Sequence, residues 1–321
     1  MTLAMVSKIV FPARDGRDEI IIRKCNSVNI ETSWEMLTDV AVIVLPRNVK
    51  DFDKLNVKTV FKKGDPVEIY LGYDENLVLE FDGFISEVSA DIPVKIKCDD
   101  FMYLLKKQPV NLSMKSTKLY DLVKQIVPAG IEIDVADINI GTKRFPNTTA
   151  AKVLEELQEN NIYSYFKGRT LVVGKIYTDD TAIPVVLNFN QNVVDHNLQY
   201  KSKDDVLIKI KGISSLPNGR KIEAEFGDEG GTQQNLSYYN IKLKADVLTL
   251  VKQDYEKYKV DGFEGHVEIF GIPSVTHGMK AKIISNPYPD RTGLYFIKKV
   301  EKDFSDAPSY HQKVYLDKKA E

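Results

Sequence analysis

The sequence has 321 residues, of which 43% are hydrophobic and 28% charged, so it is long enough for two or three domains with packed cores. Lys and Arg number 44 against 46 acidic residues, which argues against a protein whose main role is to coat duplex nucleic acid or an anionic membrane. No apolar run approaches the roughly 20 residues of a transmembrane helix, and Cys25 and Cys98 are too few for a disulfide framework. We therefore expect no membrane insertion and synthesis in the cytoplasm.

The first hundred residues are typical of β structure. Short apolar or alternating runs are separated by turn clusters such as Asp15-Gly16 and Lys63-Gly64-Asp65. The predicted strands are 19–22, 27–31, 40–45, 67–71, 77–88 and 94–98. Apolar residues that alternate with polar ones along a strand bury one face of the sheet and leave the other exposed to solvent, as in a barrel or a sandwich. Asp99 is predicted to cap a short helix that runs to Lys107.

The pattern changes to a helical period between about residues 108 and 177. Thr117 is predicted to cap one helix, and a second helix follows Thr148. Segments 162–166 and 170–173 then form a hairpin around Lys167-Gly168-Arg169. The sequence therefore predicts a small α/β lobe.

The β pattern returns after Ile183. Segments 206–211 and 221–226 alternate on either side of Asn218-Gly219, which is among the strongest short hairpin signals. A helix over 245–258 interrupts this region, and we expect it to pack on the α/β lobe. Residues 266–316 complete a second β unit.

These elements predict a mainly β fold, α+β overall, with two similar β-barrel domains and an inserted small α/β lobe. The first barrel is assigned to residues 1–107, and the lobe to 108–182 joined by helix 245–259. The second barrel is assigned to residues 183–244 and 260–321.

One pattern of glycines and strands occurs twice in the chain. In each copy a glycine turn enters an alternating strand, a second glycine opens an apolar strand, and a last strand ends at Asp. The motif residues of the first copy are Gly64, Gly83, Phe84, Ile85, Val88 and Asp99. Those of the second copy are Gly271, Pro273, Gly278, Gly293, Tyr295, Val300 and Asp317. Because a duplicated module builds pseudo-symmetry, we predict equivalent positions for 64–99 and 278–317; chance similarity of hairpins is the alternative.

Residue types that carry catalysis form no recognisable motif. The histidines at 196, 266, 277 and 311 lack zinc-ligand spacing, and the glycine-rich stretch 227–231 lacks the Lys-Ser/Thr of a phosphate loop. The adjacent acids at 99–100, 155–156, 179–180 and 204–205 are interpreted as caps and solvated faces. We predict an assembly part with no catalytic, metal or cofactor site. A pocket that joined two carboxylates, one of them with a strongly shifted pKa, would favour an enzyme instead.

The C-terminal segments 267–273, 277–278 and 293–304 resemble the late-control-D family of phage tail proteins. These are baseplate hub proteins of contractile tails, also related to the hub portion of the type VI secretion spike. The shared features are a G-x-P, a glycine that opens a strand, and an apolar strand before a polar loop; here Phe296-Ile297 replace strict alternation. Segments 81–99, 148–173 and 192–226 are similar to the family's first barrel, inserted lobe and second-barrel opening strands.

The resemblance implies a homotrimeric ring in which two barrels per chain alternate. Six similar modules would match a sixfold tail tube to a threefold spike. The implied partners are the tail spike protein and the tail tube or tube-initiator protein, with DNA only as non-specific cargo through the channel. The implied location is the virion tail baseplate or an injection apparatus, after synthesis in the bacterial cytoplasm. The alternatives are a β-rich carbohydrate-active hydrolase and a monomeric binding module.

Overall fold

The structure is a computed structural model that describes residues 4–46, 60–89, 93–177, 183–216, 218–239, 241–286, 289 and 292–320. The first strands are β1 (Met5–Phe11), β2 (Ile20–Ile22), β3 (Ser27–Ser33), β4 (Val40–Val44), β5 (Pro66–Tyr73), β6 (Asn76–Val88) and β7 (Lys95–Asp99). The middle elements are α1 (Met102–Lys107), β8 (Pro109–Lys118), α2 (Leu119–Ile126), β9 (Glu132–Val135), β10 (Asn139–Thr149), α3 (Ala150–Gln158), β11 (Ser164–Lys167) and β12 (Thr170–Val173). The remaining elements are β13 (Val185–Asn188), β14 (Val193–Lys201), β15 (Ile208–Ser215), β16 (Lys221–Gly227), β17 (Thr232–Tyr239), α4 (Lys244–Tyr258), β18 (Gly262–Phe270), β19 (Lys280–Ile284), β20 (Gly293–Ser305) and β21 (Ser309–Lys319).

The largest sheet contains thirteen strands and joins both ends of the chain. Its strand order is β14-β18-β21-β20-β3-β4-β7-β6-β5-β1-β2, with β19 on β20 and β13 on β19. One core cluster lies under the first half of this sheet, and a second lies under the β18–β21 half. The alternation read from the sequence explains the burial: in β3, Val28, Ile30 and Thr32 are buried, while Asn29 is exposed.

The middle segment forms a separate cluster. Helices α2 and α3 pack their apolar faces against the β8–β10 ribbon and the β9–β11–β12 sheet. The α3 helix begins one residue later than the sequence indicated, with Thr149 as the N-cap whose hydroxyl accepts from the Lys152 N–H at 3.4 Å. Thr117 does not cap α2, because Lys118 is the N-cap residue and makes no side-chain cap.

The cap of α1 also differs from the prediction. The Asp100 carboxylate, rather than that of Asp99, accepts from the Met102 N–H, at 2.9 Å. Asp99 is still in β7, where its backbone pairs with Val40, and its carboxylate contacts Lys106 Nζ at 2.7 Å. The helix signal was therefore displaced by one residue, because the strand extends to Asp99.

Strands β15, β16 and β17 form a sheet of their own, covered by α4. The hairpin around Asn218-Gly219 is present as predicted, and Val247 and Val251 of α4 are buried against β15 and β16. The sequence placed this helix on the α/β lobe. Its core contacts are with the small sheet instead, because the strands next to it in the chain offer the nearer apolar face.

The fold is mainly β, as predicted, and the structure builds it largely from antiparallel sheets. The two closed barrels and the domain boundaries stay predictions. Among the helices of the described ranges, none is long and apolar enough to cross a membrane. The described residues also contain no cluster of three or more His, Cys, Asp or Glu side chains arranged to hold a metal ion. The acid pair at 179–180 lies outside the described residues.

Candidate assembly interface

Two three-stranded units of the main sheet have the same strand order. Strands β5, β6 and β7 form an antiparallel meander in the first half, and β19, β20 and β21 do so in the second. Each unit is entered through a glycine of positive φ, 96° at Gly64 and 81° at Gly278. This conformation costs a residue with a Cβ roughly 1–2 kcal/mol. The glycines that open both copies of the sequence pattern therefore occupy matching turns.

The hydrogen bonds of the two turns also match. The Gly64 N–H donates to the Ile85 carbonyl at 2.8 Å, and the Ile85 N–H donates to the carbonyl of the residue after the glycine at 2.9 Å. In the second unit the Gly278 N–H donates to the Ile297 carbonyl at 2.8 Å, and the Ile297 N–H returns a bond of 2.9 Å to the residue after Gly278. The same pair of bonds thus closes both turns.

The cross-strand register continues this match. In each unit a one-residue bulge separates two apolar pairs. The pairs are Ile85–Cys98 and Val88–Ile96 in the first unit and Ile297–Leu316 and Val300–Val314 in the second. A bulge at the same place is a specific feature of a sheet, so this equivalence goes beyond a general likeness of hairpins.

Most motif residues fall on equivalent positions, but one pair does not. Counting along the register, the equivalent residues are Phe84 and Phe296, Ile85 and Ile297, Val88 and Val300, and Asp99 and Asp317. Gly83 faces Val67 where Tyr295 faces Ala281, so Gly83 corresponds to Tyr295 and not to Gly293. A Cβ at Gly83 would lie 2.2 Å from the Asp99 carbonyl oxygen, whereas the second unit has room for the buried Tyr295 ring.

The other two motif residues, Gly271 and Pro273, lie in the turn after β18. The Gly271 N–H donates to the Tyr310 carbonyl at 2.9 Å, and a Cβ there would come within 2.0 Å of the Tyr310 ring. The Pro273 carbonyl accepts from Gln312 Nε2 at 2.8 Å, and the Ile272-Pro273 peptide is cis. Both residues therefore hold this turn against β21.

The repeat is wider than the sequence indicated and spans four strands of the main sheet. Strands β3-β4-β7-β6 of the first half correspond to β14-β18-β21-β20 of the second. The equivalent pairs are Val28–Ile43 and Ile43–Ile96 in the first half and His196–Val267 and Val267–Val314 in the second. Strand β14 is thus the counterpart of β3.

The two repeats are joined by β3 and β20. These strands pair antiparallel from Ser27–Ser305 to Ser33–Lys299, so the first strand of one repeat meets the last strand of the other. The joint is head-to-tail, because β3 and β20 occupy opposite ends of the four-stranded repeat. A head-to-tail contact between similar units can be continued into a ring.

A buried ion pair fastens this joint. Lys302 Nζ of β20 contacts the Glu80 carboxylate of β6, and the two side chains are 3% and 2% exposed. Glu80 also accepts from the Tyr310 hydroxyl at 3.0 Å and from the Ser274 hydroxyl at 2.8 Å. Burial lowers the pKa of Lys302, while the charge of Glu80 acts in the opposite direction. Removing either partner would leave the other charge buried and uncompensated.

Strand β14, the counterpart of β3, has no second strand paired with it in the described structure in the way that β20 pairs with β3. It is the terminal strand of the main sheet, and it pairs only with β18. Val28 and Thr32 of β3 are 0% and 7% exposed, whereas their counterparts His196 and Tyr200 on β14 are exposed, Tyr200 to 45%. An edge strand with free main-chain groups is a template for pairing with another strand.

The face of the repeat opposite the cores is polar. It carries acidic side chains and lysines in similar numbers, together with His266 and His311. The charged members include Glu31, Glu87, Asp195, Glu264, Glu268, Glu301, Asp303, Lys95, Lys97, Lys201, Lys299 and Lys313. Lys299 Nζ lies 2.5 Å from Glu31 and 2.7 Å from Glu301, and His311 Nδ1 lies 3.2 Å from Glu268. The charges are therefore paired along and across strands rather than segregated by sign.

Two carboxyl groups meet in a cavity of about 360 Å³ near the joint. Asp39 and Asp100 both line it, together with His277, Thr32 and Lys302. Burial raises the pKa of Asp100 well above its ordinary value, and the charge of Asp39 raises it further. A cavity that joins two carboxyl groups, one with a raised pKa, is an arrangement that favours an enzyme.

The carboxyl oxygens of this pair already have partners in the fold. Asp39 accepts from the Ser33 N–H at 3.0 Å, and Asp100 accepts from the Met102 N–H at 2.9 Å and the Asp39 N–H at 3.3 Å. The remaining oxygen, on Asp39, faces His277 Nε2 at 3.5 Å. The pair therefore holds the turn before β4, the start of α1 and the turn before β19 in one place.

Solved structures with a similar fold were found, although no protein-family model and no curated protein matched the sequence. A tail protein from Neisseria meningitidis MC58 superposes with a TM-score of 0.65 at 12% identity, covering 99% of this chain and 97% of that one. The 43 kDa tail protein of prophage MuSo2 from Shewanella oneidensis gives 0.64 at 14% identity, covering 97% and 98%. The chain has the fold of phage tail proteins.

This tail-protein fold extends to a secretion component. The E. coli c3393 protein, a component of the type VI secretion system with structural similarity to the T4 tail proteins gp27 and gp5, gives a TM-score of 0.55 at 9% identity. The match covers 93% of this chain and 74% of that one. The resemblance read from the sequence is confirmed at the level of the fold, along nearly the whole chain.

Proposed function

We propose that this chain is the hub subunit of a phage or phage-like contractile tail and assembles as a trimeric ring. The observation that carries the proposal is the four-stranded repeat joined head-to-tail through β3 and β20, with β14, the counterpart of β3, left as an open edge. The tail-protein fold supports it, since the Neisseria and Shewanella proteins are tail proteins.

The proposed geometry is a conversion of symmetry. Three chains with two repeats each present six similar modules, so one face matches a sixfold tail tube and the other a threefold spike. In this proposal the first repeat closes as a barrel together with β1 and β5, and the second repeat does so together with β13 and β19. The polar face of the repeats lines the channel, and cargo such as DNA passes along it without sequence readout.

The partners in this proposal are two further copies of the chain, a spike protein and a tube or tube-initiator protein. The contacts are large sheet faces and strand edges. The ring is located in the tail baseplate of a virion or in an injection apparatus, and it carries no catalytic activity of its own.

The mass of the protein in solution tests the proposal. Light scattering or sedimentation across a concentration series is expected to give a species of three times the 36.4 kDa subunit mass. Averaged electron micrographs of that species are expected to show a ring with six similar lobes. A stable monomer at every concentration, with and without spike protein, would contradict the ring and favour a monomeric binding module.

A β-rich hydrolase is the second candidate, because Asp39 and Asp100 share a cavity and the pKa of Asp100 is raised. Paired carboxyl groups of unequal pKa are the acid–base machinery of glycosidases. The test is release of reducing ends from bacterial cell-wall saccharides. Hydrolysis that Asp39→Asn abolishes, in a variant that keeps its thermal stability, would support the enzyme; no hydrolysis is expected of the hub.

A further inference from the structure

We propose that the subunits of the ring are joined by β14 of one copy adding to β6 of the next, in the register with which β3 pairs with β20. This inference rests on the hub function proposed above, and it names the strand, the edge and the register of the contact. It follows from the internal repeat: β14 is the counterpart of β3, and β6 is the counterpart of β20.

The register can be counted from pairs within the chain. Within the intrachain joint, Lys299 pairs with Ser33 and Val300 with Thr32. The counterparts of Lys299 and Val300 in β6 are Glu87 and Val88, because both pairs follow the same bulge. The counterparts of Ser33 and Thr32 in β14 are Lys201 and Tyr200, counted from the pairs Ile30–Ala41 and Leu198–Gly265. The subunit joint therefore places Glu87 opposite Lys201 and Val88 opposite Tyr200.

The edge of β6 is open at the required place. Strand β5 pairs with β6 from Asn76 to Phe84, and the turn before β5 adds two bonds at Ile85. Beyond that point no described strand pairs with this edge at Glu87 and Val88, which pair only with β7 on the other side. Both strands of the proposed joint thus offer free main-chain groups.

The side chains suit this register. Opposite charges meet at Glu87 and Lys201, and the half-exposed Tyr200 ring covers Val88. Lys201 already contacts Glu264 of the neighbouring strand β18. The joint would therefore place Lys201 between two carboxylates, as Lys299 lies between Glu31 and Glu301 in the intrachain joint.

The subunit joint is the weaker of the two. The counterpart of Glu80 is Thr292, which carries no charge, so the buried ion pair is not repeated. The described part of β6 also ends at Val88, whereas β20 continues beyond its counterpart, Val300, to Ser305. Each chain thus keeps its two repeats together, while the contacts between chains form at assembly.

Disulfide trapping tests the register. The double variant Val88→Cys with Tyr200→Cys is expected to give covalent dimers and trimers on oxidation, with no larger ladder. The control is Val88→Cys with His196→Cys, in which the second cysteine lies on the same face of β14 but roughly 13 Å further along the strand. This control is expected to form the non-covalent trimer but no covalent oligomer. The parent protein is the second control, since Cys25 and Cys98 are buried.

Charge reversal tests the pair independently. Lys201→Glu is expected to raise the trimer dissociation constant at least about tenfold, and adding Glu87→Lys is expected to restore it. Lys209→Glu, in an exposed pair with Glu225 on the β15–β16 sheet, is the matched control and should leave the trimer unchanged. A trimer that forms normally, is not cross-linked by Val88→Cys with Tyr200→Cys and is unaffected by Lys201→Glu would overturn this joint and leave the hub function standing. A protein that stays monomeric would overturn both.

Discussion

Lys302 lies between Val300 and Phe304 on the buried face of β20, a position that the period-two pattern assigns to an apolar residue. This mismatch was visible in the sequence and is the signal that could have located the joint. Its partner was not visible, because Glu80 is 222 residues away and belongs to the other repeat.

The first prediction concerns this ion pair. Lys302→Met should destabilise the protein by roughly 3–5 kcal/mol, because Glu80 would stay buried without a counter-charge. Adding Glu80→Gln should recover most of that loss, since the amide oxygen can still accept from the Tyr310 hydroxyl. Urea unfolding measures both variants. Lys152→Met, in the exposed pair with Glu155, is the control and should stay within about 0.5 kcal/mol; an equal loss in both would contradict the role of burial.

The second prediction concerns Asp100, whose pKa is raised above the 3.8 of an ordinary aspartate. Above pH 3.8 the unfolded chain loses this proton while the folded chain keeps it, so folding stability falls as the pH rises toward the folded pKa. Asp100→Asn carries no such proton. We expect its stability relative to the parent to increase between pH 4 and pH 7.

Thermal unfolding at a series of pH values measures this difference. Asp137→Asn is the control, because the Asp137 side chain is 84% exposed. Parallel curves for the parent and Asp100→Asn would show that Asp100 keeps the same pKa in both states.

At the scale of elements, the strands were predictable and their register was not. The pattern of glycines placed β5–β7 and β19–β21 in matching units, because positive φ at Gly64 and Gly278 is a local requirement. It also matched Gly83 with Gly293, although the strand pairing shows that Gly83 corresponds to Tyr295, two residues further along. A shift of two residues keeps every side chain on the same face of the sheet, so the alternating pattern cannot distinguish the two alignments.

The third prediction separates these two glycines. A Cβ at Gly83 would lie 2.2 Å from a backbone oxygen, so Gly83→Ala should cost roughly 1–3 kcal/mol or more. A Cβ at Gly293 would meet only the side chains of Tyr295 and Lys319, at 3.0 and 3.2 Å, which can move. Gly293→Ala should therefore lower the melting temperature much less than Gly83→Ala. Equal effects would favour the alignment read from the sequence.

The helix α4 shows a second limit at this scale. Its apolar stripe was predicted, and Val247 and Val251 are indeed buried. The apolar stripe predicts which face of the helix is buried but not which element packs against it. That element is the β15–β16 sheet rather than the α/β lobe.

At the scale of the whole molecule, the proposed channel is lined by a face on which acidic residues and lysines are interspersed. DNA binding needs an excess of positive charge, since affinity comes from neutralised phosphates. A ring with this lining should let DNA pass without holding it, which agrees with the net charge of -2 for the chain.

The fourth prediction follows from that lining. The parent should not bind a 30-base-pair duplex in 150 mM salt at micromolar concentration, as measured by fluorescence anisotropy. Replacing Glu31, Glu301 and Asp303 by lysine should create binding that weakens steeply with salt. The control replaces Glu155, Glu156 and Glu159 on and beside α3 by lysine, which changes the total charge equally. Tighter binding by the control than by the channel variant would contradict the assignment of the lining.

The sequence by itself determined the mainly β class, the helical lobe, the repeated glycine turns and the resemblance to tail proteins. All of these rest on local patterns: alternation of period two, helical stripes, and turns that only glycine enters at low cost. Only the tertiary structure decided the register of the repeats, the buried contact of Lys302 with Glu80, and the open edge at β14. Each of these depends on which distant strands become neighbours, and a period of two is the same for every possible neighbour.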